Sequence, residues 1–231
     1  MSIATIHDFL YLIWKDPKTR RNFTVGKLTR DKKYYFEYCE ENEAARENGW
    51  RELEAFPENK VYESQTLFPV FSSRLPDPKR RDIEKILQKY KLDIYDEYEL
   101  LKKSGARLPI DTYELIDPIF PEQEFIEREF FIMGIRHVCP CDGNECDLLP
   151  LVSIGDEVKL QHELDNPNDS KAILVTTSSG EKLGYIPRYY NQSIFEKLSQ
   201  NISYICTVTE KNSKSDNCSE CVKVRLQIPK R

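Results

Sequence analysis

Two prolines and three acids fall within the eight residues Asp117-Pro-Ile-Phe-Pro-Glu-Gln-Glu. Proline fixes φ and removes a backbone donor, so neither a helix nor a sheet ladder runs comfortably through such a stretch. Residues 118–128 read as a linker. It divides the 231-residue chain into domains spanning 1–117 and 129–231, each long enough to bury a core of its own. No internal repeat or low-complexity tract runs across the division.

The chain carries 34 Lys and Arg against 39 Asp and Glu, a net charge of −5. The balance is 21 to 22 before residue 118 and 13 to 17 after it. Neither half is a general polyanion magnet, so nucleic-acid binding by the second half requires a local patch. The apolar run Phe9 to Trp14 follows His7 and Asp8, without a cationic region before it or a small-residue cleavage site, and reads as a strand rather than a signal peptide. No run reaches the roughly 18 apolar residues that a membrane helix needs. A cytoplasmic location and no membrane partner are expected.

Seven cysteines without an export signal argue for reduced thiols. Cys139, Cys141 and Cys146, with Cys218 and Cys221, are the group to weigh as zinc ligands. Only Cys218-Ser-Glu-Cys221 has knuckle spacing, Cys139-Pro-Cys141 is too tight, and alternation puts Cys221 on the polar face of a strand. No metal and no cofactor are expected.

In the first half, 9–15, 22–28 and 34–39 have the β-branched and aromatic content of strands, with a polar turn at 29–33 suggesting a meander. Asp77 and Pro78 fit the cap and first position of a helix whose Ile83, Ile86, Leu87 and Tyr90 form an inward apolar face. A second helix is expected over 93–104, ending at a left-handed Gly105, with a closing strand after Leu108. This half reads as a small α+β unit. In the second half, a strand ending in Gly-Ile-Arg136-His137 precedes a polar turn at 165–169, a buried Ala-Ile-Leu-Val strand and Leu-Gly-Tyr185-Ile-Pro leading into a helix. Residues 212–217 form a polar hairpin loop between strands at 202–210 and 221–228.

Val25-Gly-Lys-Leu, Tyr35-Phe-Glu-Tyr and Phe71-Ser-Ser-Arg-Leu-Pro-Asp resemble the N-terminal subdomain of HipA-type kinases. Phosphoryl transfer needs a catalytic Asp–Asn loop, a metal-binding Asp and a phosphate cradle, but the resemblance stops near Asp117, and neither glycine-rich phosphate motif occurs. A kinase subdomain without its kinase resembles the small antitoxin-like subunit of a split HipA system. The resemblance implies docking on, and inhibition of, a separately encoded HipA-like Ser/Thr kinase, with a HipB-like DNA-binding protein as a further partner. Phe68, Val70, Phe71 and Leu75 are candidate partner-binding residues, the alternative being that they seal the domain's own core.

The second half resembles the HIRAN family, which implies a small OB-like β-barrel with a helix. Its eukaryotic members attached to helicases recognise single-stranded 3′ ends. Such a pocket needs rings for stacking, cations for phosphate and an acceptor for the terminal hydroxyl. By position, Arg136, His137, Asn168, Asp169 and Tyr185 are the candidate nucleic-acid-binding residues, with Lys171 and Arg188 for phosphate. The helicase-type pattern has two tyrosines where this chain has His137 and Val138, an aromatic at Asn168 and a basic residue at His162. Asp169 also suits a turn that bonds its own backbone, Arg136 the polar face of a strand, and Tyr185 a barrel rim.

No nucleophile elbow or paired-carboxylate motif is present, so catalytic residues are not expected and the chain reads as a non-enzyme. The leading expectation is an antitoxin-like kinase regulator with a DNA-recognition domain. The alternative is a nucleic-acid-end reader in DNA repair or phage defence.

Overall fold

The computed structural model describes residues 8–108, 111–120, 123–138, 151–167, 169–212 and 220–230, with Arg136 and His137 described by their backbone. The chain forms two compact units, Met1–Pro118 and Ile119–Arg231. The α+β class expected from the sequence is observed in both.

The first unit contains β1 (Phe9–Lys15), β2 (Asn22–Arg30), β3 (Tyr34–Tyr38), α1 (Asn42–Glu47), β4 (Tyr62–Ser64), α2 (Pro69–Ser72), α3 (Ile83–Lys89), α4 (Glu97–Ser104) and β5 (Tyr113–Ile116). One antiparallel sheet, ordered β4-β3-β2-β1-β5, contains the predicted meander with a strand added at each edge. Its buried face is aromatic. Phe36 stacks on Phe56 at 4.2 Å, the Tyr38 hydroxyl donates to the Phe56 carbonyl over 2.7 Å, and Trp50 Nε1 donates to the Tyr113 hydroxyl over 3.0 Å. Burial pushes the Tyr38 phenol up to about 12.

Two arginines fasten the helical segments to this sheet. Arg30 lies over the Tyr98 ring at 4.3 Å and pairs with Asp8, Asp96 and Glu99, linking β2 to α4. Arg74, after α2, pairs with Asp111 and donates through Nε to the Ala106 carbonyl over 2.9 Å. The planar guanidinium suits such multiple donation. At the ends of α4, Asp96 accepts from the Glu99 backbone N–H over 3.0 Å and Gly105 takes φ 69°, the predicted left-handed cap.

Three expectations for this unit need correction. The helix expected from Pro78 begins at Ile83, because the Asp77 carboxylate accepts from the Lys79 N–H over 2.7 Å and closes a separate turn. The apolar side of α3 is half-buried and contributes no fully buried residue. Phe68 and Phe71 are buried in the aromatic core around Phe56, with Val70 and Leu75 half-buried against it. For Phe68 and Phe71, sealing the unit's own core is the reading observed, while Val70 and Leu75 keep part of their surface exposed. Rings held by neighbours on every side cannot anchor a partner without opening the core.

The second unit contains β6 (Ile126–Phe131), α5 (Ile135–Val138), β7 (Lys159–His162), β8 (Ile173–Thr176), β9 (Lys182–Tyr185), α6 (Arg188–Ser199), β10 (Ile205–Lys211) and β11 (Val222–Ile228). Two three-stranded antiparallel sheets form, β10-β11-β6 and β7-β8-β9. Among the described residues they do not close into a continuous barrel, and isolated bridges at Met133–Tyr185 and Glu157–Thr207 join them. The preceding segment is held to this unit, since Ser193 Oγ donates to the Ile119 carbonyl over 2.8 Å and Lys197 Nζ to the Gln123 carbonyl over 3.0 Å.

Gly-Ile-Arg-His does not end the first strand as expected. Gly134, at φ 69°, turns the chain into α5. Cys221 is buried rather than on a polar face, because it precedes the β11 ladder and escapes its alternation. Burial pushes the Cys39 thiol up to about 11 and the Cys206 thiol up to about 12, so both stay protonated near neutrality. Cys139, Cys141, Cys146, Cys218, Asn168 and most of the 212–217 loop lie outside the described residues. Among the described residues there is no cluster of metal-ligating side chains, and no helix is long and apolar enough to cross a membrane.

Candidate nucleic-acid interface

The candidate interface is assembled by the β7–β8 turn, the end of β9 and the first turn of α6. All of β8 is buried, which fixes its register, and the turn before it is knotted by its own polar side chains. Asn166 Oδ1 accepts from the Asp169 N–H over 3.1 Å, Asp169 Oδ1 accepts from the Lys171 N–H over 2.9 Å, and the Asp169 carbonyl accepts from the Ala172 N–H over 3.0 Å. Asp169 thus has the self-bonding turn role. Its other oxygen faces α6, where Asn191 Nδ2 donates to Oδ2 over 2.8 Å and Arg188 Nε lies 3.7 Å away. The carboxylate is therefore held in one orientation with lone-pair capacity remaining, and an exposed guanidinium stands beside it.

Tyr185 is positioned from both ends. Its N–H donates to the Met133 carbonyl over 2.8 Å and its carbonyl accepts from the Met133 N–H over 2.7 Å. This pair carries the backbone of Ile135–Val138, and so Arg136 and His137, to the end of β9. The approach is close enough that a Cβ on Gly184 would lie 2.5 Å from the Met133 carbonyl oxygen. The Tyr185 hydroxyl donates to Glu163 Oε2 over 2.7 Å, leaving a half-buried ring. Burial and the bond to Glu163 raise its phenol above the ordinary value.

Glu163 also accepts from Asn166 Nδ2 over 2.7 Å and from Lys182 Nζ over 3.1 Å. The hydrogen bonds from Asn166 and Tyr185 hold its carboxyl below the usual range, so a fixed anion sits beneath the turn. Between turn and sheet opens a depression of about 650 Å³, lined in part by His162, Glu163, Asn166, Leu174 and Tyr185. His162 bonds through Nε2 to the Ser170 carbonyl over 2.7 Å and packs edge-on against Phe195 at 4.6 Å. Lys171 reaches Gln192 on α6.

The fold thus gathers Asp169, Lys171, Tyr185 and Arg188, and brings the backbone of Arg136 and His137 to the same strand end. Glu163, Asn166 and Asn191 were missed from the sequence. Asn191 follows Arg188 by three positions, so helical periodicity puts it on the same face. Glu163 had no comparable signal, because a carboxylate in a turn of acids looks solvated until Tyr185 closes on it. This arrangement offers acceptors for a hydroxyl, a ring edge or face for a base, and local cations for phosphate.

Comparison with known proteins divides the chain in the same order. Residues 20–109 match the family model for the HipA N-terminal domain, and residues 127–228 match that for the HIRAN domain. No curated protein matches. A crystal structure of a protein from Lactobacillus plantarum is 27% identical over 46% of this chain and 97% of its own, with a TM-score of 0.37. The HIRAN domain of human HLTF is 15% identical over 45% of this chain and 74% of its own, with a TM-score of 0.33. The chain joins a HipA N-terminal domain to a HIRAN domain.

Proposed function

We propose that this protein is a non-enzymatic, antitoxin-like regulatory subunit. Its HipA N-terminal domain binds and inhibits a separately encoded HipA-family Ser/Thr kinase, and its HIRAN domain recognises DNA, single-stranded 3′ ends in particular. The observation that carries this reading is the succession of domains, a HipA N-terminal domain followed in the same chain by a HIRAN domain. A domain of that family standing beside a nucleic-acid module suits a subunit that docks on a kinase and brings it to DNA. Because Phe68 and Phe71 are in the core, docking uses other surfaces of the first unit. Affinity capture of the tagged full-length chain from its native lysate, with partners identified by mass spectrometry, tests the reading. Recovery of a HipA-family kinase whose activity falls when the chain is added is expected, and a kinase that binds but keeps full activity removes the inhibitory role.

The Asp169–Asn191–Arg188 geometry favours a second reading, a DNA-end reader acting without a kinase. A carboxylate accepts a terminal hydroxyl and repels a terminal phosphate. Single strands ending in a 3′-hydroxyl are expected to bind more tightly than the same strands ending in a 3′-phosphate. Equal binding would remove end recognition from both readings.

A further inference from the structure

Residues 79–91 of the first unit carry six cations, Lys79, Arg80, Arg81, Lys85, Lys89 and Lys91, against Asp82 and Glu84, in a chain whose net charge is −5. This segment includes α3, whose apolar side is half-covered by the unit's own packing. The side left to solvent is polar: Arg81, next to the N-cap Asp82, and Glu84, Lys85, Gln88 and Lys89 on the helix are all exposed. Elsewhere in the unit several cations are matched to acids, as in Lys27 with Glu37, Lys33 with Glu63, Arg46 with Glu52 and the Arg30 cluster. Arg80 is likewise forked onto Asp82, with Nε and Nη2 each 2.9 Å from a carboxylate oxygen. Arg81, Lys85 and Lys89 have no carboxylate partner among the described residues. Lys85 and Lys89 are one turn apart, about 6 Å along the axis, and Lys89 leans over the Tyr90 ring at 5.4 Å.

Like charges at this spacing destabilise an isolated helix by a few tenths of a kcal/mol, so the stripe is not explained by the stability of α3. Its exposed side is basic and polar rather than apolar, which suits a polyanion better than the hydrophobic centre of a protein interface. We propose that Arg81, Lys85 and Lys89 form a phosphate-backbone contact for DNA on the HipA N-terminal domain, independent of strand ends and of base sequence. The contact goes beyond the end-reading role proposed for the HIRAN domain. It gives the chain two different ways to hold DNA, one for continuous backbone and one for termini.

The test uses the full chain and covalently closed circular DNA, which has no ends for the HIRAN domain to take. Binding to the closed circle is expected, with an affinity that falls steeply with salt. The triple variant Arg81→Ala, Lys85→Ala, Lys89→Ala should reduce the slope of log K against log salt by about 2 to 3, since each phosphate neutralised contributes about 0.9. The pair Lys85→Gln and Lys89→Gln should remove about two-thirds of that effect, and unchanged thermal unfolding separates either result from misfolding. Absence of binding to closed circles, alongside retained binding to 3′ ends, overturns this contact while leaving the end-reading role in place. A triple variant with an unchanged slope also overturns it, and if that variant loses its kinase, the stripe faces an acidic protein surface instead.

Discussion

Asn191 donates its side-chain amide to Asp169 Oδ2 over 2.8 Å, while its own Oδ1 is buried with no hydrogen-bond partner among the described residues. Keeping an unpaired oxygen in the interior carries a cost, so the residue's value lies in the bond it makes. That bond orients the carboxylate proposed to meet a terminal hydroxyl. Asn191→Ala should weaken binding of 3′-ended single strands by about tenfold, corresponding to about 1.4 kcal/mol. Fluorescence anisotropy with 3′-hydroxyl and 3′-phosphate strands should show the loss mainly for the hydroxyl form.

Gly184 takes φ 143°, and an added Cβ would stand 2.5 Å from the Met133 carbonyl oxygen and 2.7 Å from Ile132 Cγ2. Backbone on one side and a buried side chain on the other leave little room to yield. Gly184→Ala should destabilise the second unit by about 2–4 kcal/mol through overpacking and backbone strain. Chemical denaturation followed by the unfolding of that unit checks this, and an unchanged midpoint would show that β9 can move away from Met133.

Phe71 is 1% exposed and packs its ring against Phe36, Phe56 and Phe68. Phe71→Ala should cost the first unit about 3–5 kcal/mol, as large-to-small changes at buried aromatics do. A drop in kinase capture would accompany unfolding. A variant that stays folded at wild-type stability yet loses the kinase would make Phe71 a contact residue.

Glu163 gives the second unit a pH dependence with a definite sign. Its folded carboxyl lies below the ordinary value of 4.5, so the stabilisation it contributes is present above that value and is lost as pH falls through the folded pKa. Thermal unfolding measured from pH 7 down to about pH 3 should show a declining midpoint, with a shallower decline in Glu163→Gln. Tyr185→Phe removes one of the two leading donors and should reduce the slope in the same direction.

The strands of the meander were legible because Phe23, Val25, Tyr34 and Phe36 combine β-forming side chains with period-two burial. The buried β8 strand and the helix after Pro187 were legible for similar local reasons. The helix start at Ile83 was not, because Asp77 can cap either a helix or a turn and only the geometry chooses. For Phe68 and Phe71 the sequence left both readings open, partner anchor or core, because their burial depends on contacts with Phe56 and Phe36 that no local pattern records. In the candidate interface, Asp169 and Tyr185 could be placed from sequence order, whereas the bonds of Glu163 to Tyr185 and of Asp169 to Asn191 join residues separated by more than 20 positions. Such pairings are set by tertiary closure, which no local pattern records.

The reciprocal backbone bonds of Met133 and Tyr185 have a kinetic consequence. They form an isolated bridge rather than part of a long ladder, so neighbouring pairs do not reinforce them. Their two amides should exchange with solvent deuterium through local opening, faster than the amides of the fully buried β8 strand. A ligand seated beside Tyr185 should slow that exchange. Occupancy of the site would then be readable at the Met133 and Tyr185 amides even when the bound molecule is silent.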